Sequence, residues 1–280
     1  IDTSQPNIEY VTPNDGSGDE DDPPAGDSLP GDAVAFADQN DNGVYDSDTD
    51  ELAYTAADVE SGGFQGVDLV VKQSFEIQRL QLQPDSFTVK PGATITTVNG
   101  GTQVQTGGDI LIDGQLRMQN GEIRLEGDSV KISGTLDSTN TDGKQITISG
   151  NTVDTSGGTI RAGDQISLDA ESTLTAIEAS IDTTSVLGKS VFLSGRTVEI
   201  SDSVIRSSSA VTLNADRGAL RFDGARIDAT TDYGQIVRAE GDSIDGSGAT
   251  IDATGDIRIK ADSNLDITDA SVDTSSGYGN

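Results

Sequence analysis

SVFLSG, RTVEISD and SVIRSSS are consecutive pieces of the segment Ser190–Ser209. In each piece apolar residues alternate with other residues, and Gly, Asp or Ser follows. Alternation with a period of two places Val191 and Leu193 on one face of an extended chain, and it does the same for Val198 and Ile200. The segment therefore predicts three short strands separated by bends.

The same triplet of strands recurs along most of the chain. The first strand is recognised at Ile110, Val130, Ile146, Ile166, Val191, Val211, Ile236 and Ile257, the second at Leu116, Leu136, Val153, Leu174, Val198, Leu220, Ile244 and Leu265, and the third at Ile123, Ile160, Ile181, Ile205, Ile227, Ile251 and Val272. The triplet that begins at Val130 lacks a clear third strand. Repeats of about 21 residues are typical of solenoids, in which each coil buries its apolar residues only by stacking on its neighbours.

We therefore expect an all-β chain that folds as a right-handed parallel β-helix with three strands per coil and a small N-terminal cap. Nine coils at about 4.8 Å each predict a rod of roughly 40–45 Å. The uneven repeat length and the lack of strict hexapeptides favour the right-handed type over the left-handed hexapeptide type. An antiparallel β-sandwich is the alternative, but it does not explain why the strand triplets return in register.

Three regions follow from the pattern. Residues 1–30 read as an acidic Pro/Gly/Ser linker or as an arm that docks on a neighbouring subunit, residues 31–86 as an N-terminal cap, and residues 87–280 as the β-helix. The sequence near the C-terminus shows no cap, so we expect either that the chain continues or that self-association or another subunit covers that end. No initiating Met is present, and we expect that a longer precursor could carry a membrane anchor upstream.

The charge of the chain excludes several partners. The 280 residues include 48 acidic and 17 basic side chains, for a net charge of −31. Such a chain repels nucleic acid and anionic lipid. Molar salt shortens the Debye length to about 3 Å and removes most of the self-repulsion. The excess of Asp and the scarcity of Lys are typical of proteins from extreme halophiles.

The absent residue types exclude several kinds of chemistry. Cys, His and Trp do not occur, so disulfides, Cys/His zinc sites and His-based triads are impossible. No run of about 18 apolar residues occurs that would span a membrane. No carboxylate pair stands out from the acidic background as catalytic. We therefore expect a protein that is not an enzyme.

The segment DQNDNGVYDSDTDE, Asp38–Glu51, is the strongest candidate for a site. A calcium loop of the EF-hand type reads D-x-[DN]-x-[DN]-G-x5-E, and the first six positions match. Position twelve is Thr49, so another acidic residue would have to complete the shell. The expected calcium ligands are Asp38, Asn40, Asn42, the Val44 carbonyl, Asp46, Asp50 and Glu51. The alternative is an Asx-rich turn closed by side-chain to backbone bonds.

A second acidic pattern, [IV]-D-x-[ST], recurs in the later coils. It appears at Ile181, Ile227, Ile251 and Val272. The Asp residues of these units are expected to stack on the outside of one edge of the solenoid. They are either cation ligands or solvated corner residues.

The arrangement resembles haloarchaeal secreted and cell-surface proteins, in which a segment VxFADxNxNGxYD precedes a β-helix of Gly-Asp-Ile and Ile-Asp-x-Ser/Thr repeats. The matching residues here are VAFADQNDNGVYD, Val34–Asp46, and GDILIDG from Gly108 onward, over roughly 31–280. The architecture is also similar to that of bactofilins, whose short β-helices polymerise end to end. The resemblance implies an extracellular location.

The leading expectation is a non-enzymatic structural protein of a halophile: a rigid β-solenoid that serves as a surface spacer, filament subunit or adhesin. One alternative is a carbohydrate-active β-helix enzyme, in which paired carboxylates would cleave glycosides. The other is a viral fibre or turret domain. Long loops, clustered Arg or Lys, and aromatic residues in a groove would favour the enzyme, and glycan binding by a trimer would favour the fibre.

Overall fold

The structure is a computed structural model that describes residues 28–40, 42–46, 51–139, 144–183, 189–230 and 235–274. The predicted linker or arm at 1–30 therefore lies almost wholly outside the described residues. The chain is all-β, with stacked parallel coils of about 21 residues that form a β-solenoid of about nine turns. This confirms the predicted fold class, while the handedness of the coils stays a prediction.

The elements follow one another in a regular order. They are β1 (Ala33–Ala37), β2 (Ala53–Thr55), α1 (Ala56–Ser61), β3 (Asp68–Val71), β4 (Phe75–Ile77), β5 (Leu80–Leu82), β6 (Ser86–Val89), β7 (Thr94–Thr97), β8 (Thr102–Gln105), β9 (Asp109–Ile112), β10 (Gln115–Met118), β11 (Ile123–Ile132), β12 (Thr135–Ser138), β13 (Ile146–Asp154), β14 (Thr159–Ala162), β15 (Ile166–Thr175), β16 (Ser180–Thr183), β17 (Val191–Gly195), β18 (Thr197–Glu199), β19 (Val204–Ser207), β20 (Val211–Ala215), β21 (Ala219–Arg221), β22 (Arg226–Ala229), β23 (Val237–Asp245), β24 (Thr250–Ala253), β25 (Ile257–Asp266) and β26 (Ser271–Asp273).

Each coil contributes one strand to each of three faces, which we number in chain order from β3. Face 1 starts with β3, β6 and β9, face 2 is the ten-stranded sheet from β4 to β26, and face 3 starts with β5 and β8. The long strands β11, β13, β15, β23 and β25 run from face 3 into face 1 and join these two faces into one bent sheet with β1 and β2.

The core is a set of apolar columns that run along the solenoid. In-register pairing stacks like residues on one another, as the period-two alternation predicts. On face 2 the central column is Phe75, Ile95, Leu116, Leu136, Ile160, Ile181, Ile205, Ile227, Ile251 and Val272. The buried members of this column share one continuous core with the other faces, from Val34 to Ala253.

One step of the sequence-based strand assignment is wrong. The predicted first strands at Ile110, Val130 and Ile146 do not lie on one face. Ile110 and Val130 lie on face 1, whereas Ile146 pairs with Ile123 and with Ile166 on face 3. The strand at Ile146 is therefore the third strand that the triplet at Val130 was thought to lack. All three faces carry the same alternation, so the pattern alone cannot assign a strand to a face after an irregular connection.

Parallel pairing begins earlier than the predicted boundary at residue 87. β3, β4 and β5 already pair in parallel with β6, β7 and β8. Their segments are only three or four residues long, which weakens the sequence signal. The first coil therefore lies inside the segment predicted as a cap.

A small cap covers the N-terminal end of the described coils. β1 pairs antiparallel with both β2 and β3, and α1 contacts β1, β2, β4 and β5. α1 begins with a capping box, in which Thr55 and Asp58 bond each other's backbone N–H. The bonds from Thr55 hold the pKa of the Asp58 carboxyl below its usual value. α1 is too short to span a membrane, and no other helix occurs among the residues described.

Buried hydroxyls hold two of the longer connections between face 2 and face 3. The Ser138 hydroxyl donates to the Lys144 carbonyl, and the Thr183 hydroxyl donates to the Lys189 carbonyl at 2.6 Å. Each hydroxyl side chain points inward at the end of its strand and fastens the far end of the connection. This buried role explains why Ser or Thr ends these strands.

Candidate functional site

The acidic segment Asp38–Glu51 joins β1 to β2 on the cap. Tyr45 anchors it, because this side chain is buried and packs edge-on against Phe36 with ring centroids 5.7 Å apart. Asp38 and Glu51 are also buried, with 6% and 5% of their surfaces exposed. Two carboxylates at this depth need hydrogen bonds or a cation to offset their desolvation.

The first half of the segment is closed by side-chain to backbone bonds. The Asp38 carboxylate accepts from the N–H of Gly43 at 2.6 Å and from that of Asn42 at 3.3 Å. The Asn40 side-chain oxygen accepts from Asn42 N–H, and the Asn42 side-chain oxygen accepts from Val44 N–H at 2.7 Å. Gly43 supports the sharp turn with a φ of +70°. The turn that was the alternative to a calcium loop is therefore present.

The second half of the segment is closed by Glu51. Its carboxylate accepts from Asp46 N–H at 2.7 Å and from Gln39 N–H at 3.3 Å. Glu51 therefore holds the two ends of the loop together, a role that the sequence analysis did not foresee. Asp50, which was also predicted as a ligand, lies outside the described residues.

The described residues fit a hard cation only in part. All the candidate donors are oxygens, which is the ligand type that calcium requires. The Arg–Asp, Arg–Glu and Lys–Asp pairs on the outer faces of the coils do not include Asp38 or Glu51, and the Lys90 ammonium lies beside Gly43 of the loop. However, no group of three or more acidic side chains converges within the described ranges. A calcium shell built on Asp38 and Glu51 would therefore need ligands from residues 47–50, which lie outside the described residues.

The [IV]-D-x-[ST] pattern at Ile227 closes the end of β22. The Asp228 carboxylate accepts from the N–H of Thr230 and, at 2.6 Å, from its hydroxyl. Asp137 makes the same pair of bonds with Thr139 at the end of β12. The Asp side chain is therefore a turn residue at these two strand ends. At Ile251, in contrast, the Thr254 N–H bonds the Ala229 carbonyl and the Thr254 hydroxyl accepts from Gln235 N–H. Cation binding by the stacked Asp residues stays a prediction.

The Asp residues of this pattern lie in one outward row of face 2 that also contains Arg. Asp182 pairs in register with Arg206, and Arg206 pairs with Asp228. Arg226 bridges Asp228 and Asp252 at 3.3 and 3.5 Å. The guanidinium of Arg226 therefore offsets part of the negative charge of these two carboxylates.

The environment of Asp228 keeps its carboxyl ionised. Burial favours the neutral form, but the hydrogen bonds from Thr230 and Arg226 outweigh burial and hold the pKa of Asp228 below its usual value.

The last described coil exposes residues of the type that other coils bury. Leu265, Ile267 and Val272 are 46%, 41% and 45% exposed. Leu265 pairs with Ile244 and Val272 pairs with Ile251, so both continue buried columns. Within the described part of the chain, nothing covers the outer edge of this coil.

Comparisons with known proteins give no family for the chain. No protein-family model, curated protein or solved structure matches it. The assignment of function therefore depends on the residues described above.

One concave site was missed by the sequence analysis. Gln81, Gln83, Gln103 and Gln105 line a cavity on face 3 beside the loop that follows α1. The signal was present as QLQ at 81–83 and QVQ at 103–105, which are 22 residues apart, about one coil.

Proposed function

We propose that this protein is a non-enzymatic structural rod that joins a second copy through its C-terminal coil. The observation that carries this proposal is the difference between the first and the last described coils of the solenoid. The cap of β1, β2 and α1 covers the first coil, whereas the coil of β25 and β26 exposes Leu265, Ile267 and Val272.

Stiffness supports the structural role. The coils are joined by in-register parallel ladders on three faces and share one core. Bending such a rod would stretch these ladders and open a core that is packed as densely as a crystal. A stiff rod suits a spacer that holds other parts at a fixed distance.

A second copy is the occupant that fits the exposed end best. An end with the same three-faced outline can continue all of the columns that reach Ile257, Leu265 and Val272, and a second copy supplies such an end. Because the other end carries the cap, two copies would meet through their C-terminal coils, related by a two-fold axis. This geometry makes closed dimers rather than endless filaments.

The charges at this end are also complementary. Arg258 and Lys260 lie on the face 3 part of β25, whereas Asp266 lies on the face 1 part and Asp273 on face 2. A two-fold axis reverses the path of one coil relative to the other, so basic and acidic faces can be brought opposite each other.

Substitution of the exposed apolar residues tests the proposal. Sedimentation equilibrium of the full chain in about 2 M KCl should give twice the chain mass of 28.9 kDa. The double variant Leu265→Asp, Val272→Asp should raise the dimer dissociation constant at least about 100-fold, because it places charges in the apolar centre of the interface.

Phe192→Asp is the matched control. Phe192 is 36% exposed on the side of the rod, on face 3, and this variant should dimerise normally. A single-chain mass up to about 100 µM protein, or a dimer that the C-terminal substitutions leave intact, contradicts the proposal.

We also propose that the protein works outside the cell in a saline medium. The net charge of −31 supports this, since only concentrated salt screens so much like charge. The resemblance of Val34–Asp46 to segments of haloarchaeal surface proteins supports the location. Protease treatment of intact source cells tests the location, because a surface protein is cleaved without lysis.

The salt requirement predicts a change in thermal stability. Raising KCl from about 0.1 M to about 2 M should raise Tm by at least about 10 °C, because screening removes repulsion from the compact state. Far-UV circular dichroism measures the transition. Sucrose at equal water activity controls for solute exclusion, and a Tm that is flat or falling with KCl contradicts the proposed medium.

We further propose that the Asp38–Glu51 loop binds one structural calcium ion. Asp38, Asn40, Asn42, the Val44 carbonyl, Asp46, Asp50 and Glu51 would hold it. Calcium at about 100 times its dissociation constant should stabilise the chain against unfolding by about 2.7 kcal/mol relative to chelator.

Asp38→Asn separates this site from general ion effects. Calorimetric titration should show one calcium site in the parent chain and none in Asp38→Asn. Asp32→Asn, a change at an exposed residue of the same cap, should bind as the parent does. Equal stability in calcium and in chelator, with no heat of binding, would refute the calcium site.

A further inference from the structure

A cavity of about 320 Å³ lies between the loop after α1 and the first two coils of face 3. The loop residues Gly63, Phe64 and Gln65 form one wall, and β5 and β8 form the other. Phe64 and Leu82 also border the cavity, but both side chains are buried in the core. The volume is in the range of small-molecule sites.

Five glutamine side chains line this cavity, which we call the glutamine pocket. They are Gln65, Gln81, Gln83, Gln103 and Gln105. Gln81 pairs in register with Gln103, so their side chains stand on adjacent coils. Each side-chain amide carries two donor hydrogens and an acceptor oxygen. The pocket therefore presents several hydrogen-bond donors and acceptors at fixed positions on a rigid sheet.

The central amides of the glutamine pocket are free to bind a ligand. Gln65 donates to Gln83 at 3.3 Å, and Gln105 donates to Glu126 at 3.4 Å. Within the described ranges, the side chains of Gln81 and Gln103 have no hydrogen-bond partner in the protein. The outer amides are therefore oriented by neighbours, and the central pair faces solvent.

The glutamine pocket is also uncharged, unlike the surface around it. None of its lining residues is ionisable. One coil further along the same rows, Gln103 is followed by Arg124 and Gln105 by Glu126. The chain as a whole has a net charge of −31, but the pocket has no carboxylate to bind a cation and no basic side chain to bind an anion. An uncharged ligand therefore fits it best.

We propose that the glutamine pocket binds a neutral oligosaccharide. Sugar hydroxyls both donate and accept, so each amide of Gln81 and Gln103 can bond two of them. An anionic saccharide would be disfavoured by the field of the whole protein.

Binding of defined sugars tests this inference. Maltopentaose, cellopentaose and N-acetylchitotriose are titrated into the full chain and followed by saturation-transfer NMR and calorimetry. At least one should bind with a dissociation constant of about 1 mM or below. Gln81→Ala, Gln103→Ala should weaken that binding at least about tenfold, since two sets of hydrogen bonds are lost.

Gln119→Ala is the control, because Gln119 is exposed and lies outside the glutamine pocket. It should bind sugar as the parent does, and both the double variant and the control should keep the parental Tm. Absence of binding at about 10 mM sugar, full binding by the double variant, or tighter binding of sulfated maltopentaose would each overturn the inference.

Discussion

Phe222→Ala should lower the free energy of unfolding by about 3–5 kcal/mol. Phe222 follows β21 at the corner between faces 1 and 2, and it has no exposed surface. Its ring fills the space over Gly246 of the next coil, where a Cβ atom would overlap the ring. Removal of the ring would leave a cavity between two coils. The coils cannot close this cavity without breaking the parallel backbone hydrogen bonds between them.

Urea unfolding in concentrated salt measures the loss. Phe192→Ala removes the same side chain from an exposed position, and it should change the free energy of unfolding by less than about 0.5 kcal/mol. Gly246→Ala should cost about 1–3 kcal/mol in the parent and close to nothing in Phe222→Ala, because the ring that it overlaps is gone. Additive effects of the two changes would contradict the packing described.

Gly134→Ala should cost about 3 kcal/mol, the upper end for overpacking a tight site. Gly134 lies in the short turn between β11 and β12, and an added Cβ would overlap the Gly114 carbonyl oxygen and lie 2.7 Å from that of Asp113. The turn cannot open, because the N–H groups of Ser133 and Gly134 both bond the Ile112 carbonyl.

Gly107→Ala is the matched control for this steric effect. Nothing lies within 4 Å of the Cβ position of Gly107, and its φ is not in the left-handed region. This change should leave the stability unchanged or raise it by a few tenths of a kcal/mol. Equal urea midpoints for Gly134→Ala and Gly107→Ala would contradict the close stacking of turns.

The corner before each face 2 strand shows how much the sequence could predict. The residue at this corner is small in every coil from β7 on: Ala93, Gly114, Gly134, Gly158, Ala179, Ser203, Ala225, Ala249 and Ala270. The alternation of apolar residues predicted the strands, and their return predicted the coils. Small residues also recur at the corner between faces 3 and 1, where Gly127, Gly150 and Ala170 stack in register. Small residues alone therefore do not identify which corner of the coil they occupy, and they could not have placed Ile146 on face 3.

The candidate sites were less predictable for a physical reason. The order Asp38, Asn40, Asn42, Gly43 identifies a tight loop, but the same side chains close an Asx turn and ligate an ion. The position of Glu51 depends on contacts with Gln39 and Asp46, which spacing alone does not fix. The glutamine pocket needs α1 and two successive coils to form, so no short motif contains it.

Small-angle X-ray scattering in concentrated salt tests whether the rod joins a second copy end to end. End-to-end joining predicts twice the mass of one chain, a cross-section unchanged from that of a single solenoid, and a length increased by about 40 Å, the rise of nine coils. A doubled mass with a doubled cross-section would mean side-by-side pairing. Either that result or the mass of one chain at all concentrations would contradict the account.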